Sequence, residues 1–189
     1  MLAGNRLETL SPGVGRLGSL RMLDLGHNQL TGVPEALGAL AGLTDFLYLH
    51  DNRLTELPAS LARLKQLRYL NLSNNAFAEL PAAVCGMTAL VELRITDNHL
   101  AVIPDAIGGL SHLRELHLRN NHLATLPGSI GALTELRQLD LRGNPLTALP
   151  EEIAALPKLE KLDLRWVPTL AVPPAWLADL EARSCLIYR

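Results

Sequence analysis

Asparagine recurs at Asn5, Asn28, Asn52, Asn75, Asn98, Asn121 and Asn144, at intervals of 23 residues with a single 24 between Asn28 and Asn52. Proline follows six positions behind, at Pro34, Pro58, Pro81, Pro104, Pro127 and Pro150. A fixed period of this length constrains the fold more than any local propensity does. Each unit is one supersecondary element, too small to bury its apolar side chains alone, so neighbouring units must stack into one array. Leucine supplies the material for that stack, with 44 of the 189 residues. It comes in short punctuated steps, none approaching the ~18 apolar residues of a membrane span.

The frame around each asparagine is LxxLxLxxNxLxxLPxxI, clearest from Leu113 through Leu116, Leu118, Asn121 and Leu123 to Leu126, Pro127 and Ile130. Leu116 and Leu118 alternate with His117, which is strand periodicity: both leucines face one side and the histidine the other. The asparagine amide closes the following turn, offering an acceptor and two N–H donors to backbone that leucine packing would otherwise leave unpartnered. Proline fixes φ and suits the first position of a short helical or 3₁₀ segment.

This pattern resembles the leucine-rich repeat family, in the 23-residue LPxxI form found in intracellular plant, animal and bacterial proteins. The resemblance implies an α/β fold: a curved right-handed solenoid, or horseshoe, with parallel β-strands on the concave face and short helical or 3₁₀ segments on the convex face. It covers essentially all of 1–189, read as a single domain. Residues 1–19 form a partial first repeat without an N-terminal cap, 20–165 the regular repeats, and 166–189 a degenerate last repeat with a C-terminal cap.

Three places break the register. Thr44-Asp45-Phe46 carries one residue more than the frame allows, which predicts a bulge or widened loop entering that strand. Val167 stands where an eighth asparagine belongs. The segment from Val172 to Leu180 reads as a closing helix, with Trp176, Leu177 and Leu180 covering the last rung and Asp179, Glu181 and Arg183 in water. Cys185 to Tyr188 reads as a final short strand. The chain starts inside a repeat, since Leu2-Ala3-Gly4-Asn5 matches the second half of a strand. This predicts either a fragment of a longer protein or a first rung that something docks against, and with it weak self-association through an uncovered edge.

Seventeen basic against nineteen acidic residues leave a formal charge of −2. Neither nucleic acid nor an anionic membrane is an expected partner, because both attractions need a basic excess. No secretory signal precedes the repeats. Cys85 and Cys185 lie about four repeats apart, roughly 19 Å at ~4.8 Å per strand, beyond the ~7 Å limit for a disulfide. Two free thiols fit a reducing compartment. With 14 arginines against three lysines, the composition suggests a GC-rich bacterial gene. The expected location is the bacterial cytoplasm, or a host cell reached without a visible signal sequence.

Candidates for chemistry are few. Gly13-Val14-Gly15-Arg16-Leu17-Gly18 spells G-x-G-x-x-G, but a dinucleotide fingerprint needs its first glycine directly after a strand and at the start of a long helix. Gly15 shares its column with Gly38, Gly108 and Gly131, which reads as a small packing position. His99 and His122 occupy one column in adjacent repeats, ~5 Å apart, yet two imidazoles without a third ligand make a weak zinc site. Neither cysteine has a periodic histidine partner. No catalytic residue, metal or cofactor is therefore expected, and the protein is read as a non-enzyme.

The residues alternating with the strand leucines form three columns. They read Met22, Phe46, Tyr69, Glu92, Glu115, Gln138, Lys161; then Asp24, Tyr48, Asn71, Arg94, His117, Asp140, Asp163; then Gly26, His50, Ser73, Thr96, Arg119, Arg142, Arg165. Three of only seven aromatic residues gather at Phe46, Tyr48 and Tyr69. Exposed aromatics and arginines are enriched in binding hot spots. The expected partner-binding set is Phe46, Tyr48, His50, Tyr69, Asn71, Arg94, His117, Arg119, Arg142 and Arg165, beside a structural ladder formed by the seven asparagines. The alternative for the charged half is a self-neutralising, solvated face. The expected function is non-catalytic binding of a protein partner on the concave face. Within the family, similar repeats also serve as the targeting region of a larger enzyme, such as a kinase, a GTPase or a bacterial effector ubiquitin ligase.

Overall fold

The repeat period becomes a stack of rungs in the computed structural model, which describes residues 2–170 and 174–189. Eight three-residue strands lie side by side in chain order, all parallel, in one open sheet. They are β1 (Met22–Asp24), β2 (Phe46–Tyr48), β3 (Tyr69–Asn71), β4 (Glu92–Arg94), β5 (Glu115–His117), β6 (Gln138–Asp140), β7 (Lys161–Asp163) and β8 (Leu186–Tyr188). Parallel neighbours need a crossover between them, and the remainder of each repeat supplies it. The central leucines stand in register from Leu23 through Leu47, Leu70, Leu93, Leu116 and Leu139 to Leu162. They are buried, with Leu25, Leu49, Leu72, Ile95, Leu118, Leu141 and Leu164 beneath them in a single apolar core.

Short 3₁₀ turns line the opposite side at Pro12–Arg16, Glu35–Ala39, Ala59–Arg63, Asp105–Gly109, Gly128–Ala132 and Glu151–Ile153. A four-residue helix, α1 (Ala82–Cys85), takes the same place in one repeat. The repeat prolines do not occupy the first helical position. Pro34, Pro58, Pro81, Pro104, Pro127 and Pro150 are N-caps, with ψ between 130° and 154°. There the ring fixes φ for an extended approach, and the carbonyl accepts the first bond of the turn, as from Leu37 N–H to Pro34 at 2.9 Å. Among the described 3₁₀ segments, Pro12 alone lies inside its turn, which the Ser11 side chain caps.

The extra residue before β2 forms the expected bulge. Elsewhere one carbonyl serves two amides, as Val91 does for Arg114 and Glu115 at 2.8 and 3.1 Å. At β2 the duty is divided: Arg68 donates to Thr44 and Tyr69 to Asp45 at 3.0 and 3.1 Å. The following strand therefore stays in register. Beyond β7, helix α2 (Pro174–Ala182) lays Trp176, Leu177 and Leu180 on the last rung and leaves Asp179, Glu181 and Arg183 exposed. Val172 and Pro173, the expected lead-in to that helix, lie outside the described residues. Strand β8 then extends the sheet. Among the described residues no helix is long and apolar enough to cross a membrane.

One column that sequence reading passed over shapes every turn. Gly4, His27, Asp51, Asn74, Asp97, Asn120, Gly143 and Trp166, each one residue before the asparagine position, all have φ between 52° and 68°. Glycine, asparagine and aspartate tolerate this left-handed backbone best, and six of the eight are of those types. Histidine and tryptophan are the departures.

Candidate functional site

The asparagines join consecutive rungs. Asn121 Nδ2 donates to the carbonyls of Leu118 and Arg119 in its own turn, and to Ile95 one rung back, at 2.9, 3.3 and 2.9 Å. Its Oδ1 accepts the Leu100 N–H at 3.0 Å. Asn28, Asn52, Asn75, Asn98 and Asn144 repeat the scheme, each accepting one amide from the preceding rung. Asn5 is exposed and holds only the Leu2 and Ala3 carbonyls. Val167 has no amide to continue the ladder and packs against the core.

On the solvent side of the sheet the strand register sets Phe46 opposite Tyr69 and two residues from Tyr48. The rings of Phe46 and Tyr48 stack at 5.9 Å, and Tyr69 closes on them at 5.5 and 5.2 Å. His50 stands edge-on to Tyr48 at 5.8 Å. Four rings thus form one continuous strip across β2 and β3. Phe46 is 36% exposed, and a shallow groove opens between Asp45, Phe46, Arg68, Tyr69, Val91 and Glu92. Burial pushes the Tyr69 phenol above its ordinary range, against the opposing charge of Arg94 and with that of Glu92. Asn71 turns inward and accepts the Ser73 N–H at 3.0 Å.

The charged half is organised differently. Arg94 Nε lies 2.5 Å from Glu92, and Arg119 lies 3.1 Å from Asp97. Arg142 holds Asp140 at 2.6 Å and reaches Asp163 at 3.5 Å, while Arg165 holds Asp163 at 2.7 Å. His117 sits between Glu115 and Glu92 at 3.2 and 3.8 Å. Burial works against the charge on Asp163, yet hydrogen bonds from Arg165 and the nearby Arg142 hold its carboxyl below the usual aspartate range. All four arginines of the expected binding set are thus engaged by carboxylates of their own face, so the free positive charge along it is small.

Two exposed aromatics lay outside that set. Trp166 is 68% exposed, and the guanidiniums of Arg142 and Arg165 approach its ring at 6.0 and 5.9 Å. Tyr188 takes Arg165 and Lys161 at 5.2 and 5.4 Å. The sequence signal for Trp166 is its place in the left-handed column, where a bulky side chain stores strain; such strain concentrates at functional sites.

His99 and His122 stack at 5.4 Å on the exposed surface. Groups of three possible metal donors occur elsewhere, at His27, His50 and Asp51 and at Glu92, Glu115 and His117. Each joins two residues of one column in adjacent repeats to a third from another column, which a comparison along one column does not find. Cys85 and Cys185 are both free and buried, and burial raises both thiols above the ordinary range. Burial thus favours the thiol over the thiolate at both positions.

Stacked parallel rungs, an asparagine ladder and an open face define a leucine-rich-repeat solenoid, a fold that generally mediates protein–protein interaction. The chain belongs to the leucine-rich repeat family, whose models match residues 45–100, 88–146 and 111–167, and again 19–40. No curated protein sequence matches it significantly. A leucine-rich repeat protein of Leptospira interrogans is 31% identical with a TM-score of 0.77, covering 98% of this chain and 53% of that one. The ectodomain of the Arabidopsis thaliana receptor kinase GASSHO1/SCHENGEN3, solved with Casparian strip integrity factor 2, is 33% identical with a TM-score of 0.76. That match covers 90% of this chain and 21% of the receptor. The repeat domain of the Xanthomonas type III effector XopL is 27% identical with a TM-score of 0.72, covering 99% and 75%. The chain thus spans about half the length of the Leptospira protein and about a fifth of the receptor ectodomain.

Proposed function

We propose that this protein is a non-catalytic recognition module that holds a protein partner against the solvent face of its sheet. Phe46, Tyr48 and Tyr69 anchor the partner, with His50 and Asn71 at the edge of the strip. The observation that carries this reading is the strip itself: three of seven aromatics meet on two adjacent rungs, next to four strands whose outward residues, Glu92 to Asp163, are all polar. Aromatic side chains contribute large contact areas at low entropic cost and dominate interface hot spots. Eight strands at ~4.8 Å span somewhat under 40 Å, the scale of a folded domain or a helix. Arg94, His117, Arg119, Arg142 and Arg165 orient the partner through donors left free by their carboxylates, contributing selectivity more than affinity. Two buried free thiols support a reducing compartment.

A second reading is favoured by one observation: two of the similar structures are leucine-rich repeat domains of larger proteins, the ectodomain of a receptor kinase and a domain of a type III effector. On that reading the same face targets a larger enzyme to its substrate. Both readings require a partner on the aromatic strip. The test is capture of a partner from the source cell, followed by titration of that purified partner against wild type and a Tyr48→Ala/Tyr69→Ala double variant. The expected result is a Kd raised at least tenfold; an unchanged Kd removes the strip from the interface.

A further inference from the structure

Where the turns after β1 and β2 meet, two histidines and an aspartate converge. His27 and Asp51 hold equivalent places in the left-handed column, both at φ 53°. The backbone ties these turns together, His27 N–H to His50 and Asn28 N–H to Asp51, each at 3.1 Å. Asp51 Oδ2 lies 3.3 Å from His27 Nδ1 and 3.7 Å from His50 Nε2. All three donor atoms lie within 4.8 Å of one another. We propose that His27, His50 and Asp51 bind one divalent transition-metal ion of the zinc class.

The donor spacing carries the proposal. Zinc in tetrahedral coordination, at 2.0–2.1 Å from nitrogen and 2.0–2.2 Å from oxygen, separates its ligand atoms by about 3.3–3.5 Å. The two separations from Asp51 are within a few tenths of an ångström of that value, and the two imidazole donors, within 4.8 Å of each other, close the remaining gap by a change of the exposed His27 rotamer. Donor chemistry selects the ion: two imidazoles and one carboxylate suit zinc, copper or nickel, whereas calcium and magnesium require six or more ligands, mostly oxygen.

The surroundings of His50 point the same way. Its side chain is only 21% exposed, because the imidazole lies flat over Gly26. A Cβ at position 26 would stand 2.4 Å from His50 Cε1. The same column holds serine, threonine or arginine in the later repeats, so this is the one rung with room for the ring. Yet the imidazole makes no hydrogen bond to any described residue: Nδ1 is buried without a partner, and Nε2 is too far from Asp51 for one. A metal at Nε2 gives this nearly buried ring a ligand that the protein alone does not supply, while Nδ1, on the other side of the ring, is not part of the site.

The second three-donor group is a poorer host. Arg94 already places its guanidinium 2.5 Å from Glu92, and a cation at Glu92, Glu115 and His117 would have to displace it. At His27, His50 and Asp51 no arginine or lysine forms an ion pair among the described residues. The ion would link consecutive turns and leave a coordination position open beside the aromatic strip, since Tyr48 contacts the His50 ring at 5.8 Å. This goes beyond partner recognition, and its test requires no partner.

The test is titration of the untagged full chain with zinc chloride against a chromophoric chelator, with cobalt(II) absorption as a second readout. One equivalent binds per chain in the micromolar range, and cobalt gives the visible bands of a four-coordinate site. His27→Asn keeps the left-handed backbone, which Asn74 and Asn120 adopt in the same column. It weakens zinc binding at least tenfold, since losing even the partner behind a ligand costs about 10–100-fold, with no change in the urea unfolding midpoint. His117→Ala leaves binding intact. Absence of saturable binding in the micromolar range overturns the site. So does wild-type affinity in His27→Asn, or loss of binding in His117→Ala.

Discussion

Asn121 Oδ1 accepts the backbone N–H of Leu100 at 3.0 Å, a bond across 21 residues of sequence and a single step of the stack. The same amide donates to Ile95 on that earlier rung and to Leu118 on its own. One side chain thus satisfies buried backbone on two repeats at once. Removing it leaves donors and acceptors unpartnered on both, at about 1–3 kcal/mol for each buried group.

Asn121→Ala is therefore expected to destabilise the chain by about 2–4 kcal/mol. Asn5→Ala, at the exposed site with two local bonds, should change stability by less than about 0.5 kcal/mol, as ordinary surface substitutions do. Urea unfolding of the two variants checks the contrast.

Gly38 and Gly32 separate packing from backbone freedom. A Cβ at Gly38 would lie 2.3 Å from the Ser60 carbonyl oxygen, while one at Gly32 meets nothing within 4 Å. Gly38→Ala should cost about 1–3 kcal/mol through overpacking. Gly32→Ala should stabilise by about 0.4–1 kcal/mol by restricting the unfolded chain. Thermal unfolding reads both.

Trp166 carries the left-handed backbone at φ 60° with a large exposed ring. Trp166→Gly relieves about 1–2 kcal/mol of steric cost and gives up about 0.5–1 kcal/mol of exposed cation–π contact with Arg142 and Arg165. The variant should unfold at the same or a slightly higher temperature. A clear loss of stability would show that the ring contributes more to packing than its exposure indicates.

Acid should weaken the fold through depressed carboxyls. Hydrogen bonds from Arg21 and Thr44 lower Asp45. At Asp97 burial opposes the charge, but hydrogen bonds from Asn120 and Arg119 outweigh it. Asp163 follows the same balance. The unfolded chain takes up protons first, so this stability is complete above about pH 4–5, beyond the ordinary aspartate value. It is lost as pH falls through the lower folded-state values. Urea midpoints measured from pH 7 downward should stay level and then fall; Asp163→Asn should flatten part of that fall.

The architecture was legible because Leu116, Leu118 and Asn121 each answer to one requirement, strand alternation or turn closure, and the period repeats it. The bulge at Thr44–Phe46 and the burial of Trp176, Leu177 and Leu180 were legible for the same reason: a broken register announces itself. The left-handed column was not read, although its glycines, asparagines and aspartates carry the signal. The proline position was read one residue late because φ alone does not distinguish an N-cap from the first helical residue. The engagement of Arg142 and Arg165 by Asp140 and Asp163 depends on the rotamers of residues two apart in the chain, at the end of each strand. The His27–His50–Asp51 group depends on Gly26 admitting a ring from the next rung. Both lie beyond what a column of letters records.

The most direct measurement is hydrogen–deuterium exchange of the protein alone and with its captured partner. Protection is expected at Phe46–His50 and Tyr69–Asn71, with the 3₁₀ turns at Glu35–Ala39 and Ala59–Arg63 unchanged. Protection confined to those turns, with the aromatic strip exchanging as in the free protein, would contradict recognition through the sheet face.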